Sequence, residues 1–184
     1  SRVVLQLQHN EGLTMTVTLC HKDILMPGSK VHLTRATLTP ARPKSLHSHD
    51  YYELFWVQNG VVRHHLPTGI ERLEEGDLIL LSPGQLHAVQ GKGEHSMIVS
   101  LCFHPSVVQG LRERHPGLWD EQKVPQHIHR DIKQLSALNH AALSLERGDR
   151  SALAAEAFLL PLLNDLEQRI EPSNAPDWLI QALA

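Results

Sequence analysis

Over the first hundred residues, apolar positions alternate with polar ones or gather into short apolar runs. These runs cover residues 3–7, 13–19, 30–37, 54–58, 61–66, 77–81 and 96–103. Turn-forming stretches separate them: Met26-Pro27-Gly28-Ser29, Asn59-Gly60, Pro67-Thr68-Gly69, Ser82-Pro83-Gly84 and Gln90-Gly91-Lys92-Gly93. Many short strands at even spacing predict an antiparallel sandwich or barrel. The pattern then changes period. His104-Pro105-Ser106 predicts a helix start, with proline in the first turn and Val107, Val108 and Leu111 at helical spacing. After a loop through Gly117 and Pro125, a second helix is expected to bury Ile128, Ile132, Leu135, Leu138, Ala142 and Leu145 as one stripe. Gly148 ends it, and Asp149 or Ser151 can cap a third helix carrying Leu153, Ala157, Leu160, Leu163, Leu166 and Ile170. Pro161 inside that pattern predicts a kink or a local break. The two long helices are expected to form an antiparallel hairpin, its leucines packing on the barrel or forming a dimer seam. Glu171-Pro172-Ser173-Asn174-Ala175-Pro176 has a linker's composition, and an amphipathic helix starts again at Asp177-Trp178-Leu179. That last helix is expected to be the first element of a further domain.

A chain of 184 residues suffices for one good domain and some added structure. Its net charge of −3 gives no electrostatic reason for this piece alone to bind nucleic acid. No apolar run is long enough to span a bilayer, and no signal-peptide pattern opens the chain. Cys20 and Cys102 lie far apart in apolar surroundings, which argues against a disulfide framework and for a reducing cytoplasm. Histidine is abundant, at fourteen residues. His64, His65, His104, His115, His127 and His129 show no ligand spacing with each other, and surface or hydrogen-bonded roles are expected for them.

Three other histidines do show such spacing. His47 and His49 are one residue apart, and Glu53 follows four residues later. On a strand these positions share parity and point into one interior, whereas a helix would scatter them. His87, beyond the apolar run at 78–81 and the Ser82-Pro83-Gly84 turn, is a fourth candidate from a second β segment. Imidazole nitrogens with a carboxylate oxygen suit one divalent transition metal: zinc is favoured, with nickel, iron or manganese as alternatives. Tyr51 shares the ligands' parity, and Phe55 and Val57 continue the inward face. Tyr51 and Phe55 are therefore candidate effector contacts, with plain core as the alternative reading. Tyr52 faces out, and Trp56 is expected to cover the barrel's outside against the helices.

The segment His47-x-His49-x3-Glu53-x6-Gly60 resembles the first cupin motif. Gly76-Asp77, Pro83-Gly84 and His87 resemble the second, one residue short and with Gly91 where an asparagine often stands. The resemblance implies a jelly-roll β-barrel whose metal is held by His47, His49, Glu53 and His87. Taken with the helix pair and the start at Trp178, the chain resembles the sensor half of an AraC-family transcription regulator. Through Leu46-His47-x-His49-Asp50-Tyr51-Tyr52-Glu53 and Glu75-Gly76-Asp77 it is most similar to the regulators of chitobiose and cellobiose utilisation. That likeness implies a small-molecule effector (by the same likeness a sugar), homodimerisation through the C-terminal helices, and DNA binding by a C-terminal domain beginning near Asp177.

The expected fold is thus mainly β with C-terminal α: a cupin-type barrel over residues 1–103, a helical dimerisation region over 104–171, and a linker with the start of a DNA-binding domain over 172–184. The expected function is the effector-sensing, dimerising region of a cytoplasmic transcription regulator. A metal-dependent cupin enzyme of dioxygenase or isomerase type is the alternative, and a metal-stabilised dimerisation module without an effector is a third reading.

Overall fold

The computed structural model describes residues 17–120 and 126–170. The expected first strand, the linker and the Trp178 helix lie outside them. The order of elements is β1 (Val17–Leu19), the one-turn helix α1 (His21–Ile24), β2 (Val31–Leu38), β3 (His47–His49), β4 (Tyr52–Asn59), β5 (Val61–Leu66), β6 (Gly69–Glu74), β7 (Asp77–Leu81), β8 (Ala88–Gly91), β9 (Ser96–Phe103), α2 (Pro105–Arg114), β10 (Gln126–His129), α3 (Ile132–Arg147) and α4 (Ala152–Ile170). A five-stranded antiparallel sheet runs β10-β7-β4-β9-β2, a second sheet runs β6-β5-β8, and β1 pairs with β3 in parallel. The expected architecture, mainly β with C-terminal helices, is the one observed.

The middle of the large sheet is buried on both faces, which is why Leu78-Ile79-Leu80-Leu81 reads as an unbroken apolar run. Alternation along β4 sorts its side chains between two cores. Tyr52, Leu54 and Trp56 face outward with Leu78, Leu80, Val99, Leu101 and Phe103, under a cover of helical side chains from α2, α3 and α4. Phe55 and Val57 face inward with Ile79, Leu81 and Ile98, against Val62 and Leu73 of the second sheet. Trp56 lies under the helices as expected, and its indole Nε1 donates to Asn139 Oδ1 on α3 at 3.0 Å.

Helix starts follow the local chemistry. The His104 side chain accepts from the Ser106 N–H ahead of Pro105. Asp131 and Gln134 form a reciprocal capping box at α3. The Ser151 hydroxyl oxygen accepts from the Ala154 N–H at the start of α4.

Three expectations are corrected. Residues around Ile128 are not helical: Gln126–His129 form β10, which pairs with β7 and satisfies the backbone groups along that edge of the sheet. The helical stripe therefore starts at Leu135, and Ile132 is 81% exposed. The buried face of α4 is Ala155, Phe158, Leu159, Leu162, Leu163 and Leu166, while Leu153 points to solvent at 78% exposure. Phe158 and Leu159 form a wider face than the expected leucine stripe and set its phase. Finally, α4 runs through Pro161 without ending. The proline is exposed, where water can serve the carbonyl its ring leaves unpaired. Three strands, β6, β8 and β10, lack a sequence signal of their own and exist through pairing.

Two contacts tie the sheet to its surroundings. Arg130, buried just after β10, reaches Asp165 of α4 at 2.6 Å. Gly76, at φ +94°, exchanges backbone hydrogen bonds with Val57 and Arg130, and a Cβ there would collide with the Arg130 carbonyl. Leu101, with no exposed surface, sits between sheet and helices. Leu101→Ala is expected to lower unfolding free energy by about 2–5 kcal/mol in denaturant titrations, a cavity cost for a site closed on both sides.

Candidate metal centre

Backbone pairing assembles this site. His47 and His87 form an antiparallel bridge, each donating its N–H to the other's carbonyl at 2.9 Å. The Gly84 N–H donates to the His49 carbonyl at 2.8 Å. The turn after β7 is thereby clamped against β3, and β4 brings in Glu53 from beside them. His49, Glu53 and His87, all buried, each offer one ligand atom, and these atoms lie within 4.8 Å of one another.

Their orientation is fixed from behind. His49 Nδ1 donates to the Tyr51 carbonyl at 2.7 Å, which leaves Nε2 as the free lone pair. The Ser100 hydroxyl donates to Glu53 Oε1 at 2.6 Å, which leaves Oε2 facing the imidazoles. His49 Nε2 stands 3.1 Å from that oxygen and His87 Nε2 stands 3.3 Å from it. Both nitrogens are near the carboxylate, yet neither is aligned to hydrogen-bond with it, and both are buried without another partner. Unpartnered buried polar atoms are uncommon. Two of them converging on one carboxylate oxygen fit a shared cation, as the donor set does.

His47 is brought beside this group rather than into it. Its ring centroid is 4.5 Å from that of His87 and 6.5 Å from that of His49. Tyr51 stacks on His49, with centroids 4.3 Å apart. Phe55 is fully buried, edge-on to His64 and nearly parallel to His87.

The electrostatics agree with the geometry. Burial alone would raise the Glu53 pKa, but the His49 and His87 imidazoles outweigh it and hold the carboxyl well below the usual carboxylate range. Burial, with His87 nearby, pulls His47 down to about 4. Burial and the Glu53 charge push the Cys102 thiol up to about 12. Cys20 and Cys102 are both free, as expected.

Sequence reasoning missed Ser100, His64 and Glu71. Ser100 sits opposite Phe55 on β9, and only strand register reveals it. His64 is fully buried behind His87. Its parity with Val62 on β5 was the available signal, since both point into the barrel. The hydrogen-bonded role expected of the remaining histidines holds for His65, with Gln90, and for His129, with Asp77.

Known proteins share the family and the fold of this chain. The model of a family described as AraC-like ligand binding domain matches residues 35–163. No curated protein matches the chain. Among solved structures, apo ToxT K231A from Vibrio cholerae is similar at 14% identity and a TM-score of 0.62, over 77% of this chain and 57% of that one. ToxT bound to (E)-4-(8-methylnaphthalen-1-yl)but-3-enoic acid is similar at 13% identity and a TM-score of 0.53, over the same shares. The chain therefore spans little more than half the length of ToxT. Oxalate decarboxylase of Bacillus subtilis is similar at 22% identity over 44% of this chain and 22% of that one, but its TM-score of 0.37 carries no argument about the site. The ToxT likenesses show a shared fold, β sheets followed by helices.

The His47 shift has a pH consequence. An unfolded chain takes up the His47 proton below the ordinary value of 6.5, whereas the folded, metal-free protein resists it until about 4. The stability of the metal-free protein is expected to be full above pH 6.5 and to fall progressively towards pH 4. Denaturant titrations in chelator across that window check this, and His47→Gln should flatten the decline.

Proposed function

The chain belongs to the family of AraC-like ligand-binding domains, and on that premise we propose that it is the effector-sensing and dimerising region of a DNA-binding transcription regulator. One observation carries the sensing role: β4 is shared. Its inward face presents Glu53 and Phe55, and its outward face presents Tyr52, Leu54 and Trp56 to the helices. A molecule that alters the inner face acts on a strand whose other face seats α3 through Trp56 and Asn139. Such coupling requires the effector to bind two arrangements of barrel and helices with different affinity.

In this reading a divalent transition metal is held by His49, Glu53 and His87, with His47 at the edge of the group. Zinc is preferred, and nickel, iron or manganese are compatible with the same donors. A metal held by these residues would supply Lewis-acid chemistry for anchoring a small polar effector. The effector is a small molecule, a sugar by the resemblance of the His-x-His-Asp-Tyr-Tyr-Glu segment, with Tyr51 and Phe55 flanking the donors. A homodimer forms through α3 and α4, whose exposed Ile132, Leu143 and Leu153 are apolar surface for a second copy to cover. DNA contacts belong to a domain beyond Asp177, and the cytoplasm is the compartment proposed.

His49→Ala and Glu53→Ala are each expected to abolish stoichiometric metal, read by elemental analysis of the purified protein; unchanged metal content overturns the metal assignment. A thermal-shift screen of small sugars, with and without metal, tests the sensing role. A true effector at a hundredfold excess over its dissociation constant raises stability by about 2.7 kcal/mol. A metal-loaded protein that responds to no sugar removes the sugar assignment and favours a structural module. Turnover or oxygen consumption by iron-loaded protein would favour the cupin enzyme instead.

A further inference from the structure

We propose that Glu71 and His64 set the position of the proton on His87, holding it on Nδ1 so that Nε2 presents a bare lone pair towards Glu53 and the metal position. The use of that lone pair rests on the metal reading above; the proton arrangement rests on the hydrogen-bond chain alone.

The chain begins at β6. Glu71 and His64 are directly opposed in the β5–β6 register, and His64 Nδ1 lies 2.6 Å from Glu71 Oε1. A carboxylate only accepts, so His64 Nδ1 carries the hydrogen. A neutral imidazole has one donor and one acceptor, which makes His64 Nε2 the acceptor. Its partner, at 3.3 Å, is His87 Nδ1, which must therefore donate. With its one hydrogen on Nδ1, neutral His87 has a lone pair on Nε2, the atom 3.3 Å from Glu53 Oε2.

The opposite arrangement would put a hydrogen on His87 Nε2. It would then have to donate to Glu53, but that atom has no aligned partner. Phe55 holds both rings in register, with centroids 5.3 Å from His64 and 6.3 Å from His87. The two ligating imidazoles thus receive their tautomers differently. His49 is set by the Tyr51 carbonyl, which no side-chain change removes. His87 is set by side chains reaching out to Glu71, about a third exposed. His64 and Glu71 are positioning residues: neither touches the metal position, and both act through His87.

Two variants separate tautomer control from packing. His64→Leu removes the acceptor. His64→Gln can place its side-chain oxygen near the former Nε2 and accept again. Long-range proton–nitrogen NMR of the metal-free full chain, at about pH 8 where ordinary histidines are neutral, is expected to show wild-type His87 as the Nδ1–H form. His64→Leu should abolish that preference and His64→Gln should restore it. Metal affinity, by competition with a chromophoric chelator, should fall about 10- to 100-fold in His64→Leu and recover in His64→Gln. If His64→Leu does not fold, Glu71→Ala reads the same chain from its exposed end, and an unchanged His87 tautomer there overturns the proposal. An Nε2–H form in the wild type, or equal loss of affinity in both His64 variants, overturns it as well. An Nδ1–H His87 in a wild-type protein that binds no metal would uphold the proton chain and overturn the metal reading.

Discussion

The double burial of β4 is the constraint from which the rest of the structure follows. A strand that carries Tyr52, Leu54 and Trp56 on one face and Phe55 and Val57 on the other has no side left for water. The second sheet must close one face and the helices the other. Each fully buried large side chain contributes roughly 1.5–3 kcal/mol relative to exposure, so neither cover is dispensable. The apolar stripe of α3 and the Phe158-Leu159 face of α4 are answers to this demand, and their phases are set by where the sheet lies.

Glu53 interrupts that apolar strand, and its surroundings show what a buried carboxylate needs. Desolvation opposes its charge, and an isolated buried carboxylate would neutralise. Ser100 occupies one oxygen and two imidazoles face the other, so the charge is retained. The donors behind the imidazoles belong to the same arrangement. The Tyr51 carbonyl and the His64–Glu71 pair orient rings that would otherwise be free to turn.

Much of this was legible in the sequence wherever one segment carried its own signal. Parity placed Glu53, Phe55 and Val57 inward and Trp56 outward. Pro105 and Ser151 marked helix starts, and the spacing of His49 and Glu53 marked two members of the buried cluster with His87. What was not legible depends on partners distant in the chain. β10 is a strand because β7 offers it an open edge, and nothing in Gln126-His127-Ile128-His129 outweighs helical periodicity locally. Ser100 and His64 gain their roles from register across sheets, and single-strand reading cannot see register. Pro161 does not break α4, because an exposed position can forgo one hydrogen bond within an otherwise packed helix.

The Trp56–Asn139 hydrogen bond has a consequence for inheritance. It joins a barrel residue to a helix residue through one shared core, so the two parts do not vary independently. A change that enlarges a side chain beneath α3 must be answered within the helix, or the strand bearing Glu53 moves. Lineages that adapt the inner face to a new small molecule would then carry matched changes on the helices, far from anything that molecule touches. Receptor specificity and output geometry would be revised together, as one unit of descent.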